Sequence, residues 1–309
     1  MNKKHEFSII IPTFNRRKRL CCLLGQLNLQ KYPKKLFEVI VVDNGSSDGT
    51  RDVIRLFKIK TELRIIFINA VESGPSFARN LGLRKAKNQK VVLIDDDCEV
   101  ASDFLIRYSN SWNEHKKFSL IGGKVVSGLT VESNNKKLIA EFPWCFGLYD
   151  LPKSRELQLG EHLLSSNMSI DRTLCKNKFS EKFGVCDNKG NMLVGTEDYE
   201  FCTKAILDGS KVFFDKKISV KNCYDLDRLN YVYIIKRHWR AGKENALLDS
   251  EIFKTKLVNH FFKFRFKDGF VRIFLSKSLW VFINRFIYFF SYVFHSLINF
   301  LANVKQMGC

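Results

Sequence analysis

Apolar residues fall in short dense runs along the first hundred positions, and each run is followed by a stretch with helical spacing. Phe7–Ile11 is such a run, ended by Pro12, and predicts a buried strand. Leu20, Leu23, Leu24 and Leu27 then recur at the spacing of one helix face. Val39–Val42 predicts a second strand that ends at Asp43, and Gly45 with Ser46, Ser47 and Asp48 supplies a turn and a helix N-cap. Val53, Ile54 and Phe57 give that helix its apolar face. Arg64–Ile68 predicts a third strand, Ser76–Ala86 a third helix and Val91–Ile94 a fourth strand. This alternation argues for an α/β fold with a Rossmann-like, mostly parallel sheet and helices on both faces. In open sheets of this kind ligands bind beyond the carboxyl ends of the strands. That rule gathers Thr13, Phe14 and Asn15, then Asp43 and Asn44, then Asp95, Asp96 and Asp97 along one rim.

The alternation weakens after about residue 100. Leu120–Val126 predicts a strand with a break at Gly122 and Gly123, and Glu141–Gly147, "EFPWCFG", reads as an aromatic-rich loop. Thr196 is placed to cap a helix with Phe201, Cys202, Ala205 and Ile206 on its apolar face; Gly209 stops it, and Lys211–Phe214 returns as a strand. Residues 228–246 read as a basic helix. Beyond about residue 250 the composition shifts to aromatics and Lys or Arg.

Composition sharpens part of this picture. The chain has 309 residues, 45% hydrophobic and 27% charged, which suits one large domain with an appendage. The net charge of +19 calls for an anionic partner: nucleic acid, an acidic membrane surface or a phosphorylated small molecule. The nine cysteines include no CxxC pair and read as free thiols of a reducing compartment. The apolar run of the N-terminus is too short for a signal peptide, so the catalytic part is expected in the cytoplasm.

The candidate chemistry starts at "VVLIDDD", where a buried strand runs into three carboxylates. On an extended chain Asp95 and Asp97 point to one side and Asp96 to the other. Adjacent acids repel unless a cation or donors compensate them, and a hard divalent ion shared with substrate phosphates is one solution. An exposed acidic turn is the alternative.

Together "SIIIPTFNR", "VIVVDNGSSDGT", "GPSFARNLGL" and "VVLIDDD" resemble glycosyltransferase family 2, and "SSNMSI" and "GTEDYEF" continue the resemblance to about residue 245. The resemblance implies a GT-A fold and an inverting transfer of sugar from a nucleotide-diphosphate donor to a hydroxyl of a glycan or lipid-linked glycan. UDP is the default nucleotide, with GDP and dTDP open. It implies a catalytic domain over 1–225, with donor-binding residues 1–100 and acceptor residues 101–225, and a basic helix over 226–250 that closes the site. The donor-binding residues are then Pro12, Thr13, Phe14, Asn15, Asp43, Arg79, Asp95 and Asp96. Asp43 accepts from the base, and Arg79 faces the diphosphate or clamps an acid. Asp97 with Asp95 holds Mn²⁺ or Mg²⁺. Asp198 is the general base and Glu197 its fallback or partner, although acids in a first helical turn are also favoured by the dipole alone. Asp48 reads as a helix cap rather than a ligand. One departure stands out: Asn222 occupies a position where relatives often carry His.

Residues 251–309 form a separate amphipathic region. Asn284, Tyr288, Ser291, His295, Asn299 and Asn303 recur every three or four residues as one polar stripe, opposite a face of Phe, Ile and Leu. The favoured expectation is peripheral attachment to an anionic membrane from the cytoplasmic side through residues 270–305, with packing on the catalytic domain and a true span as alternatives. A catalytically inactive scaffold of glycan assembly is the competing functional reading. Nucleic acid is not expected as a partner, because the aromatics form an apolar face rather than stacking sites between basic residues.

Overall fold

The structure is a computed structural model that describes residues 3–70, 74–130, 132–180, 182–186, 192–252 and 279–307. Its strands are β1 (Phe7–Thr13), β2 (Phe37–Asp43), β3 (Ile65–Asn69), β4 (Lys90–Leu93), β5 (Cys98–Val100), β6 (Leu120–Ser127), β7 (Arg155–Glu156), β8 (Met168–Asp171), β9 (Val185–Cys186), β10 (Met192–Val194) and β11 (Val212–Asn222). Its helices are α1 (Arg17–Asn28), α2 (Thr50–Lys60), α3 (Pro75–Lys85), α4 (Phe104–Glu114), α5 (Ser133–Glu141), α6 (Glu197–Leu207), α7 (Tyr231–Ile252) and α8 (Leu279–Met307). They group into two compact units. One comprises Met1–Thr130 and Gly147–Tyr224, the other Val131–Phe146 and Asp225–Cys309.

The first unit is built on one mixed sheet of order β3-β2-β1-β4-β8-β6-β11-β5, with β7 added to β11. The pairs β2–β3, β1–β2 and β1–β4 are parallel, as the alternation predicts. The antiparallel strand β8 then joins β4 to β6, and β11 runs parallel to β6. Every residue of β1 and of β2 is buried, because both sheet faces are covered. Leucines 20, 23, 24 and 27 of α1, Ile54 of α2 and Phe104, Tyr108 and Trp112 of α4 cover the face that carries Ile9, Val39 and Val92. Ala78 of α3 and Phe201, Cys202 and Ala205 of α6 cover the face that carries Ile10, Ile40 and Val91.

Two expectations shift in detail. β1 does not stop at Pro12 but runs on to Thr13, with Pro12 opposite Val42. A proline removes only its own N–H from a ladder and keeps its carbonyl. The glycine pair in β6 does not break the strand. It permits close approach, since a Cβ on Gly123 would lie 2.2 Å from the Ile218 carbonyl oxygen. Gly82 does the same for α3, where a Cβ would lie 2.5 Å from Ile10 Cγ2 on β1.

In the second unit α7 and α8 pack together. A Cβ on Gly242 would meet the Tyr288 carbonyl oxygen at 2.5 Å. The Ser291 hydroxyl donates to the Trp239 carbonyl at 2.7 Å, the Tyr292 hydroxyl to Asp249 at 2.8 Å, and the Asn245 amide to the Tyr288 hydroxyl at 3.2 Å. Tyr288 and Ser291 of the polar stripe thus bond the neighbouring helix, while the Asn284 amide donates to the Trp280 carbonyl of α8 itself, and Phe282, Phe286, Phe290, Phe294 and Leu297 are exposed. Leu279–Asn299 is long and apolar enough to cross a membrane by length and composition. The basic aromatic stretch 253–278 lies outside the described residues.

Candidate active site

Loops after β1, β2 and β4 meet on one rim of the first unit. The Asn44 N–H donates to the Thr13 carbonyl, and the Asn15 N–H to the Ser46 hydroxyl at 2.8 Å. The Ser47 N–H returns to Asn15 Oδ1 at 2.8 Å, with Asn15 at a left-handed φ of 51°. Asp48 accepts from the Thr50 N–H and hydroxyl with one oxygen and from the Arg17 N–H with the other, so it takes the first N–H of both α2 and α1, although Gly49 rather than Asp48 is the N-cap residue of α2. Asp43 is buried and accepts from the Ser46 N–H at 3.0 Å and hydroxyl at 2.5 Å. Pro12 and Thr13 are buried in β1, Phe14 is half-buried and Asn15 exposed.

The three aspartates do not keep the alternation of an extended strand. β4 ends at Leu93, and the Cys98 N–H donates to the Asp95 carbonyl at 3.1 Å, closing a turn over Asp96 and Asp97. The turn throws Asp96 and Asp97 together and separates both from Asp95. Arg16 Nη1 donates to Asp96 Oδ1 and to Asp97 Oδ2, each at 2.9 Å, and Arg19 Nη1 lies 3.7 Å from Asp97. The Thr13 hydroxyl donates to the other oxygen of Asp96 at 2.8 Å. Burial is the first cause that pushes the Asp96 carboxyl up to about 7, with Asp97 adding to it and Arg16 opposing it. Asp95 turns the other way, to Arg79 Nη2 at 2.9 Å. Guanidiniums therefore compensate all three acids.

Arg79 is the hub. It is 3% exposed, and its Nη1 donates to Glu197 Oε1 at 3.0 Å. Its Cζ lies 5.5 Å from the Phe179 ring centroid. Burial alone would lower its pKa, but Asp95, Asp198 and Glu197 outweigh that and raise it. The guanidinium thus ties the acid at the end of β4 to the acids that open α6.

Thr196 does not cap α6 in the expected way: it sits at a left-handed φ of 70°, whereas a side-chain cap is extended. Asp198 is held from outside the helix instead, with Oδ2 accepting from the Ser165 N–H at 3.1 Å. Its Oδ1 lies 3.9 Å from Arg79 Nη1 and has no hydrogen-bond partner among the described residues. Burial, then Glu197, raise the Asp198 carboxyl to about 7 against the pull of Arg79. Such a group has an unoccupied acceptor position and a pKa suited to proton uptake near neutrality.

Asn222 ends β11, and the next N–H, of Cys223, donates to the Asp97 carbonyl at 2.8 Å. The departure noted at Asn222 therefore lies one residue from a direct contact with the backbone of the acid turn. Among the described residues no three His, Cys, Asp or Glu side chains gather as a metal cluster. Sequence reasoning missed Arg16, Arg19 and Ser165. The run "RRKR" directly after a strand end was a signal for the first two; Ser165 acts through its backbone and left none.

The chain is 25% identical over 287 residues to the poly(ribitol-phosphate) beta-N-acetylglucosaminyltransferase TarS of Staphylococcus aureus, covering 86% of this chain and 46% of that one. It is 27% identical over 237 residues to the poly(ribitol-phosphate) beta-glucosyltransferase of Bacillus spizizenii, covering 75% and 32%. The chain thus spans less than half the length of these curated relatives. Solved structures share its fold. A mannosyltransferase of Pyrobaculum calidifontis in complex with GDP-Man and Mn²⁺ aligns with TM-score 0.61 at 15% identity, over 96% of this chain and 88% of that one. Residues 1–349 of S. aureus TarS in complex with UDP align with TM-score 0.54 at 19% identity, over 98% and 92%. These neighbours give the first unit a GT-A fold. The sequence matches the family described as Glycosyl transferase family 2 over residues 8–177, more than half of its 309 positions, and the chain belongs to that family.

Proposed function

We propose that this chain transfers a sugar from a nucleotide-diphosphate donor, UDP-linked by default, to a hydroxyl of a glycan or lipid-linked glycan, with inversion at the anomeric carbon. The observation that carries the reading is the convergence on Arg79 of Asp95 from the donor rim with Glu197 and Asp198 from the start of α6. Asp198 takes the acceptor proton on Oδ1 while Ser165 and Arg79 hold it in place. A single base with no second carboxylate assigned as nucleophile implies direct displacement. Asp43, with Pro12, Thr13, Phe14 and Asn15, flanks the nucleobase; Asp95, Asp96 and Arg79 serve the sugar and diphosphate. A relative crystallised with UDP supports the choice of base.

The acids suit a hard divalent cation, Mn²⁺ or Mg²⁺, because one or two carboxylates with substrate phosphates suffice to bind it. Asp97 would hold it after giving up its Arg16 contact, whereas Asp95, expected from the sequence as the second ligand, is turned away to Arg79 in this structure. Bound there, the ion would neutralise charge on the departing nucleoside diphosphate. The exposed apolar face of α8 suits the cytoplasmic surface of an anionic membrane, where Phe282, Phe286 and Phe290 enter the acyl boundary.

The test is donor hydrolysis and thermal shift with UDP, GDP and dTDP, each with and without Mn²⁺. The reading expects a shift with one nucleotide and slow release of the diphosphate from its sugar. Silence with all three nucleotides would favour the inactive scaffold.

A further inference from the structure

The two Nη atoms of Arg79 bond acids on different elements, Asp95 after β4 and Glu197 on α6. A planar fork reaches both only in one orientation, since turning it toward one acid carries it away from the other. A support for that orientation comes from the chain that follows β8. Phe179 is buried, with Arg79 Cζ 5.5 Å from its ring centroid. The ring in turn stacks on Phe201 of α6, at a centroid distance of 4.3 Å and with planes 13° apart.

The backbone of Phe179 is gripped by α3 itself. Asn80, the buried neighbour of Arg79, bonds Phe179 on both sides. Its amide donates to the Phe179 carbonyl at 2.7 Å, and its Oδ1 accepts from the Phe179 N–H at 2.9 Å. Two bonds of opposite sense to one residue fix the direction in which its side chain leaves the chain. One turn earlier in α3, the Ser76 N–H donates to the Gly184 carbonyl at 3.4 Å, and a Cβ on Gly184 would lie 2.2 Å from the Ser76 hydroxyl oxygen. Ser76, Arg79 and Asn80 share one helix face by their spacing. The helix therefore holds the chain at Phe179 and at Gly184, and Arg79 stands between the two grips. An aliphatic side chain at 179 would fill the same space but offer a cation no negative ring face.

We infer that Phe179, held by Asn80, is a positioning residue that fixes the Arg79 guanidinium where it engages Asp95 and Glu197 at once. It touches no reacting atom and acts through Arg79. That the fixed guanidinium sets turnover rests on the transferase reading above; the fixing itself does not. A misplacement of such a hub is costly because both the donor rim and the acids of α6 take their position from it.

The experiment records the guanidinium signals of the full chain labelled with ¹⁵N-arginine, and assigns those of Arg79 by their loss in Arg79→Lys. A guanidinium that cannot rotate shows its Nη–H protons as separate signals; one that turns freely shows them merged. The same preparations are assayed for hydrolysis of UDP-glucose and UDP-N-acetylglucosamine. The expected result is separate Arg79 signals in the wild type and merged signals in Phe179→Leu. Turnover in Phe179→Leu should fall by about tenfold or more, while KM for the donor moves by less than about threefold. Phe179→Tyr keeps the ring and should keep separate signals and most of the turnover. Circular dichroism checks that each variant is folded; if Phe179→Leu is not, Phe179→Met, an adaptable filler without a ring, decides. Merged signals in the wild type, or separate signals in a folded ringless variant, overturn the positioning. So does an equal loss of turnover in Phe179→Tyr and Phe179→Leu. Merging in the ringless variant with no donor hydrolysis by the wild type supports the positioning and counts against the transferase reading.

Discussion

Arg79 and Glu197 stand 118 residues apart in the chain and 3.0 Å apart in the structure. The pair is buried, and the same guanidinium holds Asp95. Removing the cation leaves carboxylates facing one another without compensation. Arg79→Leu is expected to cost about 3–5 kcal/mol of stability, the range for one partner removed from a buried pair. Arg79→Lys keeps the charge but not the fork that reaches two acids, so it should fold while losing activity. Denaturant unfolding of both variants decides this; a stable Arg79→Leu would mean that the acids are solvated.

Asp198 gives a pH signature. With its carboxyl at about 7, the basic form is populated only above that, so the acid limb of the rate should fall near pH 7. Glu197→Gln removes a neighbouring negative charge that raises Asp198, so the limb should move to lower pH. Asp198→Asn should lose roughly 10²–10⁴ in turnover while still binding donor. For stability the sign is opposite to the usual carboxylate. The native state keeps a proton that the unfolded chain releases above 3.8, so stability falls as pH rises from 3.8 through about 7. Asp96 acts in the same direction over the same window. Unfolding midpoints of wild type and Asp198→Asn across that range should show a shallower fall in the variant.

Arg16 competes for the carboxylate that the proposed metal needs. Arg16→Gln takes one cation from Asp96 and Asp97, so Mn²⁺ affinity without nucleotide should rise several-fold, read by Mn²⁺ electron paramagnetic resonance. Asp97→Asn should abolish the binding. Affinity that ignores both substitutions would place the ion elsewhere.

Gly82 tests the α3–β1 contact. Gly82→Ala brings a Cβ to 2.5 Å from Ile10 Cγ2 and should cost about 1–3 kcal/mol. Ile10→Ala makes room for it. The double variant should therefore be more stable than the sum of single effects predicts, and strict additivity in the cycle would refute the clash.

The outer face of α8 tests membrane attachment. Phe286→Asp with Phe290→Asp removes two exposed rings, each worth about 1.5–3 kcal/mol when buried. Sedimentation with anionic vesicles should drop by more than tenfold, with the melting temperature little changed.

The N-terminal half of the first unit was legible because each strand is short, apolar and followed by a helix. Val39–Val42 and Val91–Ile94 mark β2 and β4 to within two residues. The rest hid for particular reasons. β8 is only four residues long and follows directly on a turn, Ser165–Asn167, so "SSNMSI" shows no strand period. The aspartate geometry was misjudged because a turn after Leu93 replaced the extended chain. Arg16, which balances Asp96 and Asp97, lies some eighty residues upstream, and no local pattern joins them. In α8 the period was visible, but periodicity alone does not tell a stripe facing water from one facing α7.

The sheet order has a consequence for synthesis on the ribosome. β4 is complete at Leu93, yet its partner β8 begins only at Met168. At about 5–20 residues per second, translation of the interval lasts roughly 4–15 s. For those seconds the nascent β3-β2-β1-β4 ribbon can assemble with one flank bare, open to mispairing until β8 emerges.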